Sequence, residues 1–542
     1  MHPFRTDPAR YVIPLFFVFI IAIGAIAVPS YGISWDEKAM FILGRRVYEY
    51  IFDGAPYPPN IAIRFHGAIF EFILYGLPKF YGMYYARHIF ILRHFVNYLT
   101  FVGGIGAMYL FGKRYFRSAW WGLIAATLLF LSPRQFGHAF VNGRDIPTLS
   151  LWALAMVTLL ALRDRRTVWM AALHGVTCGL AISMRVASVF IPILAVGLLF
   201  FLWIDACRRG QRHATRTLLI LSGLVLLFSA LGTIAFWPLL WEHPLKNFLE
   251  ALHNMAFEQN QPGGFYFGAR VGGGIWHWIP VWMSITTPWV YTIFFVAGTI
   301  MLFLQLLRSP LQILTSDDVP VLLWCFGPVL AIMILRSPIF DEWRHIYFIY
   351  PGFLLIACRA MKGLWERIPA YFPRYGHRAL ATAATLYAMN IGLWMVMNHP
   401  FQYVYFSLPS SFVEHRFELD YWGISFKQGM EAVLALDDAP KIPVALLGSA
   451  GTDNFNMLTR EQRRRILPTA KQERGKYVID NFRGREYKRI LPDVHKVASI
   501  TVSGMEILAV YRNPDWDQST FNPDLKFSDE LVILAIDNNL MK

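Results

Sequence analysis

Cysteine is scarce in this chain: four among 542 residues, at positions 178, 207, 325 and 358. Each lies in or at the end of an apolar run, and no pair is placed to bridge an extracytoplasmic loop. They read as small core residues, which excludes a disulfide-stapled secreted scaffold. Charged residues are few as well, 16% of the total, and acids are outnumbered by bases, 36 to 50. A net charge of +14 would point a soluble chain toward nucleic acid, but 56% hydrophobic residues exclude that reading. A soluble protein of this length has no interior large enough to hide so much apolar surface. Only Arg5 and Arg10 precede the first apolar run, and no small-residue cleavage site follows it. An uncleaved first span is therefore expected rather than a signal peptide. No internal repeat is visible.

What the chain has is long apolar runs. Candidate spans cover 11–29, 88–111, 119–132, 146–162, 168–183, 187–204, 217–236, 288–307, 319–335, 346–361 and 379–397, about eleven transmembrane helices. Basic residues test the threading. Lys113, Arg114 and Arg117 follow the second span; Arg163, Arg165 and Arg166 the fourth; Arg208, Arg209, Arg212 and Arg216 the sixth. Arg308 follows the eighth, and Lys362, Arg367, Arg374 and Arg378 the tenth. Every even-numbered span ends in Lys or Arg, as expected of a chain whose N-terminus is cytoplasmic. The bases thus set topology and meet anionic membrane lipids, with no role toward nucleic acid.

Two extracytoplasmic loops are long. In the first, about 30–87, Glu37 to Ile51 and Ile61 to Phe80 have the pattern of helices lying along the membrane surface. The second, about 237–287, carries Gln259 to Gly264 and Gly272-Gly273-Gly274, then Trp276, Trp278 and Trp282. Two readings stand for it: a mobile flap at the interface, or an ordinary aromatic belt. Residues 1–400 form the membrane domain on this reading, and 401–542 a small extracytoplasmic α/β domain. There Lys441 to Leu447, Lys476 to Ile479, Ala498 to Val502 and Glu506 to Tyr511 read as strands, the last two a hairpin across Ser503-Gly504. Phe426 to Leu436 and Arg460 to Ile466 read as helices. No nucleotide loop or metal motif is present in this part.

Polar residues that could carry chemistry gather at the outer ends of the spans. Asp36 and Glu37 stand together just beyond the first. Arg134 and His138, then Arg144 and Asp145, join the third and fourth. Arg185 sits between the fifth and sixth, and Arg336, Asp341, Arg344 and His345 join the ninth and tenth. His66 lies in the first long loop with Arg64 and Glu71. Arginine near spans on the translocated side runs against the positive-inside bias, and one at depth costs about 2.5–3.5 kcal/mol. A shared anion offsets that cost, and a lipid-linked phosphate suits the planar, permanently charged fork of arginine. The alternative is separate pairing of each arginine with a nearby acid or headgroup. Asp36 has two compatible roles: a general base for an acceptor hydroxyl, or a cap on the helix that starts near Lys38, for which Ser34 also qualifies. Glu37 is placed to position an arginine, an acceptor or a metal. Asp145 shares the capping alternative. His66, His138 and His345 lie near carboxylates and leave a divalent metal open, without tight ligand spacing.

These features, taken in order, resemble the GT-C membrane glycosyltransferases. Within that group the chain is similar to the bacterial relatives of protein O-mannosyltransferases and lipid A aminoarabinose transferases. The strings that carry the likeness are the acidic pair after the first span, Ser-Pro-Arg-Gln-Phe-Gly-His (132–138), Asn-Gly-Arg-Asp-Ile-Pro (142–147), Asp-Glu-Trp-Arg-His-Ile-Tyr-Phe-Ile-Tyr-Pro (341–351) and Phe-Glu-Leu-Asp-Tyr-Trp-Gly (417–423). The resemblance implies a polyprenyl-phosphate-linked sugar as donor and transfer of a hexose or pentose, with inversion, at the outer face of the bacterial inner membrane. The acceptor class stays open among lipid, glycan and protein. It places Asp36 as the catalytic aspartate with Glu37 beside it, and Arg344 near the donor phosphate with Arg134, Arg144 and Arg185 as further candidates. Asp145, His138, His66, Asp341 and His345 fall to the substrate or acceptor site. One departure stands out: where relatives often carry a basic or His residue followed by two prolines, this chain has Arg64-Phe65-His66-Gly67. A transporter or flippase of a lipid-linked anionic glycan is the rival reading. It calls for mid-span polar residues and paired repeats, and the chain offers little of either.

Overall fold

The computed structural model describes residues 8–58, 63–257, 264–271, 275–309, 316–337, 339, 341–483 and 490–517. All eleven expected spans fall on helices. Eight helices are long and apolar enough to cross a membrane: Ala9–Ser30, Ala86–Phe116, Asp145–Arg165, Val186–Arg208, Arg212–Phe236, Trp289–Arg308, Asp318–Leu335 and Gly376–Met397. Ala119–Phe130 and Val168–Met184 are apolar but shorter. The tenth expected span is Tyr350–Tyr371, entered through a buried 3-10 stretch, Arg344–Ile349.

The 31-residue helix Ala86–Phe116 is the spine, buried along most of its length against Ala119–Phe130 and Asp145–Arg165. Contacts between loops sort the helix ends into two sets, in the alternation that the basic residues predict. At one end Arg114 meets Asp164 at 2.8 Å and Asp317 at 3.0 Å, while Arg359 meets Asp318. At the other end the loops around residues 36, 145, 185 and 344 come together.

That second end is roofed by the long loops. Trp35–Phe52 and Ile69–Phe80 are helices, close to the expected bounds. In the later loop, Pro244–Phe257 is a helix, β1 (Phe265–Tyr266) and β2 (Ala269–Arg270) form a short hairpin, and Trp278–Thr286 is a helix. The glycine-rich segments read as a flap lie mostly outside the described residues. The belt alternative fails for two of its three tryptophans. Trp276 is exposed, but Trp278 and Trp282 are buried, with the Trp278 indole donating to the Glu342 carbonyl at 2.7 Å.

The C-terminal part holds a five-stranded sheet of β3 (Ile442–Leu447), β4 (Ile466–Thr469), β5 (Tyr477–Asp480), β6 (Lys496–Val502) and β7 (Met505–Arg512), in the order β4-β3-β5-β7-β6. The neighbours β4, β3 and β5 are parallel, β7 pairs antiparallel with β5, and the edge strand β6 pairs antiparallel with β7 and so runs in the direction of the first three. The strands and the Phe426–Leu436 helix match the sequence reading. Ser503 and Gly504 both take positive φ, as a tight hairpin needs. β4 escaped it: a four-residue strand with Pro468 inside offers no alternation, and Ile466, expected to end a helix, begins it.

The sheet is bolted to the bundle near the first span. Asn454 holds Ile33 from both sides, accepting from its N–H at 2.9 Å and donating to its carbonyl at 2.8 Å, and Lys427 donates to the Pro29 carbonyl at 2.7 Å. The first long loop is held just as closely. A Cβ at Gly67 would land 1.4 Å from the Ser183 carbonyl oxygen, backbone against backbone. Gly67→Ala therefore forces the loop away from the Met184–Arg185 turn. It is expected to lower the thermal midpoint of the purified protein, at a cost of about 1–3 kcal/mol; an unchanged midpoint would contradict this packing.

Candidate functional site

The site starts from how the Trp35–Phe52 helix begins. Ser34 is its N-cap and Glu37 closes a capping box, accepting from the Ser34 N–H at 2.7 Å. The other Glu37 oxygen meets His94 Nε2 at 2.9 Å, and both groups are buried. Glu37 is thus occupied in holding the helix start. Its neighbour Asp36 points elsewhere, with a quarter of its side chain exposed.

Asp36 turns to Arg344, whose Nη1 lies 3.1 Å from the carboxylate although 308 residues separate them. Arg344 is a buried hub. The same Nη1 is 3.5 Å from Asp145, its Nη2 is 3.2 Å from Asp341, and its guanidinium lies 4.8 Å over the Trp422 ring. Burial works against its charge, but Asp36, Asp341 and Asp145 together raise its pKa beyond the ordinary arginine value. Each acid has a second anchor or an opening. Asp145 accepts from Arg185 Nε at 2.7 Å and from the Asn142 amide at 2.8 Å. Asp341 is shared with Arg483 at 3.5 Å, and Arg483 lies 4.1 Å over the Trp35 ring. Asp36 is the most exposed of the three, with 26% of its side chain open against 11% for Asp341 and 1% for Asp145.

A second network lies next to this one. Asp341 and Glu342 are consecutive non-glycine residues with positive φ, 51° and 63°. Such a turn is costly for residues with a Cβ, and it sends the two carboxylates to different partners. Glu342 is sealed in, paired with Arg134 and bonded to Tyr347, to the Tyr421 hydroxyl at 2.9 Å and to His138 at 3.2 Å. Against burial, Arg134 and His138 hold Glu342 ionised. Arg134 is wholly buried, donates to the Tyr405 carbonyl at 3.0 Å and packs on Phe406 and Trp282. The structure therefore does not bring Arg134 and His138 to the opening beside Asp36; they brace the wall behind it.

Arg144 is half-buried with no carboxylate in ion-pair range among the described residues, and burial together with Arg185 pushes its pKa down to about 9. His66 and His345 face the same Asp145, Arg185 and Arg344 group; burial and the arginines push both well below the usual histidine range. Arg336 stands apart, exposed at the end of Asp318–Leu335. Among the described residues no group of three His, Cys, Asp or Glu is arranged to hold a metal ion, and the three acids face arginine instead of one another.

Sequence reasoning missed several members. Trp422 lies in the Asp-Tyr-Trp-Gly string but had no role assigned. Arg483 gave no signal, because nothing local distinguishes it from other C-terminal arginines. Glu418, half-buried near Arg483, Asp341 and Arg270, is pushed up to about 7 by burial. The buried pair Glu71–Arg93 at 2.7 Å also went unread, since Arg93 sits inside an apolar run.

No family model and no curated protein matches the chain. Solved structures do. The archaeal oligosaccharyltransferase AglB from Archaeoglobus fulgidus, solved in complex with an inhibitory peptide and a dolichol-phosphate, superposes with a TM-score of 0.50 at 13% identity, over 87% of this chain and 70% of that one. ArnT from Cupriavidus metallidurans, bound to undecaprenyl phosphate, gives 0.47 at 12% identity, over 93% and 99%. The fold is that of the GT-C membrane glycosyltransferases.

Arg134→Ala tests the division between the two networks. It leaves the buried Glu342 charge without its guanidinium, held only by Tyr347, Tyr421 and His138, at a cost of about 3–5 kcal/mol. The expected result is a large drop in thermal midpoint, with Glu342→Gln in the same background recovering part of it. A variant that keeps wild-type stability would place Arg134 in the open site after all.

Proposed function

We propose that this chain is a glycosyltransferase that moves a hexose or pentose from a polyprenyl-phosphate donor to a lipid, glycan or protein acceptor. It acts at the outer face of the bacterial inner membrane, with the N-terminus cytoplasmic and the sheet domain, about residues 401–542, extracytoplasmic. The observation that carries the reading is the Asp36–Arg344 contact at 3.1 Å, which sets a partly open carboxylate beside a buried, permanently charged guanidinium at one end of a GT-C helical bundle.

The chemistry follows from the parts. The acceptor hydroxyl gives its proton to Asp36 as its oxygen bonds the anomeric carbon. On the opposite face the bond from that carbon to the phosphate oxygen breaks, inverting the centre, and polyprenyl phosphate leaves with the electron pair. Arg344 orients Asp36 and offers charge to the leaving phosphate. Arg144, with no acid of its own in range, is the guanidinium best placed to bind that phosphate. Arg185 acts through Asp145, fixing the acid that steadies Arg344. His66 and His345 line the same group as neutral polar residues of the substrate site, and Asp341 ties it to Arg483.

Asp36→Asn leaves Arg344 with Asp145 and Asp341, so the fold is expected to survive. Transfer from a labelled polyprenyl-phosphate-sugar should fall by about 10²–10⁴-fold, the usual contribution of a general base. Turnover near the wild-type rate would remove Asp36 from that role. Arg144→Gln is expected to weaken binding of polyprenyl phosphate by about 10–100-fold, the worth of a charge-assisted hydrogen bond of about 1.5–3 kcal/mol, with little change in thermal midpoint. Titration of the phosphate lipid against the protein in nanodiscs reads this directly, and unchanged affinity would assign the phosphate to other residues.

A further inference from the structure

Next to Asp36 lies a small cavity of about 10 Å³, room for roughly one water-sized group, with charged and amide side chains set among apolar ones in its wall. Asp36 forms part of its wall, with Glu71, Arg93, Asn97, Gly143 and Arg144. The wall holds more hydrogen-bonding capacity than it uses. Arg93 gives Nη2 to Glu71 at 2.7 Å, while its Nε and Nη1 have no hydrogen-bond partner among the described residues. Neither the amide nitrogen nor the oxygen of Asn97 has one, and Asn97 is only 2% exposed. The Nε of Arg144 is in the same condition.

Leaving buried polar groups unmade costs about 1–3 kcal/mol each. Within a helix of this apolar character, such groups mark a function in preference to a structural need. Their placement is also built. Asn97 follows Arg93 by four residues on Ala86–Phe116, so both project from one face. Gly143 lets the 142–144 loop close over the Glu71–Arg93 pair: a Cβ there would stand 2.9 Å from the Glu71 carboxylate oxygen. The chemistry of the wall selects its occupant. Glu71 and Asp36 disfavour an anion, Arg93 and Arg144 disfavour a cation, and the Asn97 amide offers one donor face and one acceptor. A hydroxyl, which donates and accepts at once and has the size of the cavity, satisfies all of these.

We propose that this cavity is a specificity subsite that receives a single hydroxyl of a sugar ring held at Asp36, and so determines which sugar reacts. The inference rests on the reading of Asp36 as the base of a glycosyl transfer. The hydroxyl belongs to the donor sugar or to a saccharide acceptor, and the two sources are separable.

Asn97→Ala is the decisive variant, because it removes an amide with no hydrogen-bond partner among the described residues and so breaks no hydrogen bond described in the fold. Full-length protein in nanodiscs is titrated with polyprenyl phosphate, with polyprenyl-phosphate-linked hexoses and pentoses, with monodeoxy analogues of the best binder, and with methyl glycosides of the same sugars. The wild type is expected to discriminate against one monodeoxy analogue by about 10-fold or more, the scale of one well-made hydrogen bond. Asn97→Ala, with the thermal midpoint of the unliganded protein retained, should bind that analogue and its parent equally. Discrimination confined to the lipid-linked series assigns the hydroxyl to the donor; discrimination confined to the methyl glycosides assigns it to an acceptor. If the wild type distinguishes no analogue, or Asn97→Ala keeps the wild-type ratio, the subsite is overturned while the glycosyltransferase reading stands. If the wild type binds no polyprenyl phosphate and releases no sugar from any linked donor, both fall together.

Discussion

A buried guanidinium has to be paired, and in this chain the pairing of Arg344 organises everything near the site. Taking a charge out of water costs several kcal/mol unless opposite charge and hydrogen bonds replace the lost hydration. Arg344 meets that demand with Asp36, Asp145 and Asp341, which come from the start of the first loop helix, the start of the fourth span and its own turn. None of these acids can withdraw without unbalancing the others. Three loops distant in sequence are thereby clamped at one end of the bundle, and the most exposed of the acids, Asp36, is presented in a set orientation. The clamp is also why Glu37, next to it in sequence, behaves so differently: it is consumed by the helix cap and His94.

The positive-φ turn at Asp341 and Glu342 makes a partition out of two neighbouring carboxylates. One joins the open cluster around Arg344. The other is locked with Arg134, His138, Tyr347 and Tyr421 into a buried brace. A buried wall built from ionised groups is tolerable only when its members are largely paired, and here Arg134 and Glu342 supply most of each other's needs. The sheet domain adds a third constraint. Asn454 fixes Ile33, three residues before Asp36, and Arg483 reaches Asp341 while lying over Trp35. The C-terminal part is thus a working side of the cluster, and its position bears on the geometry of Asp36 itself.

Much of this was legible beforehand. Each of the eleven apolar runs falls on a helix, eight of them on helices long and apolar enough to cross a membrane, and period-two runs located four of the five strands of the sheet; the fifth is too short and too proline-broken to show a period. The acids and arginines of the cluster could be nominated because charge near a span is expensive and needs a reason. Their division into open and sealed groups could not. Arg134 and Arg144 are chemically alike and ten residues apart, yet one is paired with Glu342 inside an aromatic cage and the other lines the cavity beside Asp36 with no carboxylate in ion-pair range among the described residues. Trp278 and Trp282, in a tryptophan-rich loop that suggested an interface belt, are core residues for the same reason: the Glu342 brace needed apolar faces around it.

What the sequence determined by itself was local or one-dimensional: the helical membrane class, where the apolar helices lie, most strands and helices of the C-terminal part, and the list of charged residues near span ends. Hydrophobic period and loop charge are properties of neighbours along the chain, so they can be read from it. Tertiary structure alone decided which charges share a partner, which are sealed from water, and that Arg93, Asn97, Glu71 and Arg483 belong beside Asp36. Those outcomes depend on how residues hundreds of positions apart divide a limited supply of opposite charge and hydrogen bonds, and that division is settled only when the helices pack.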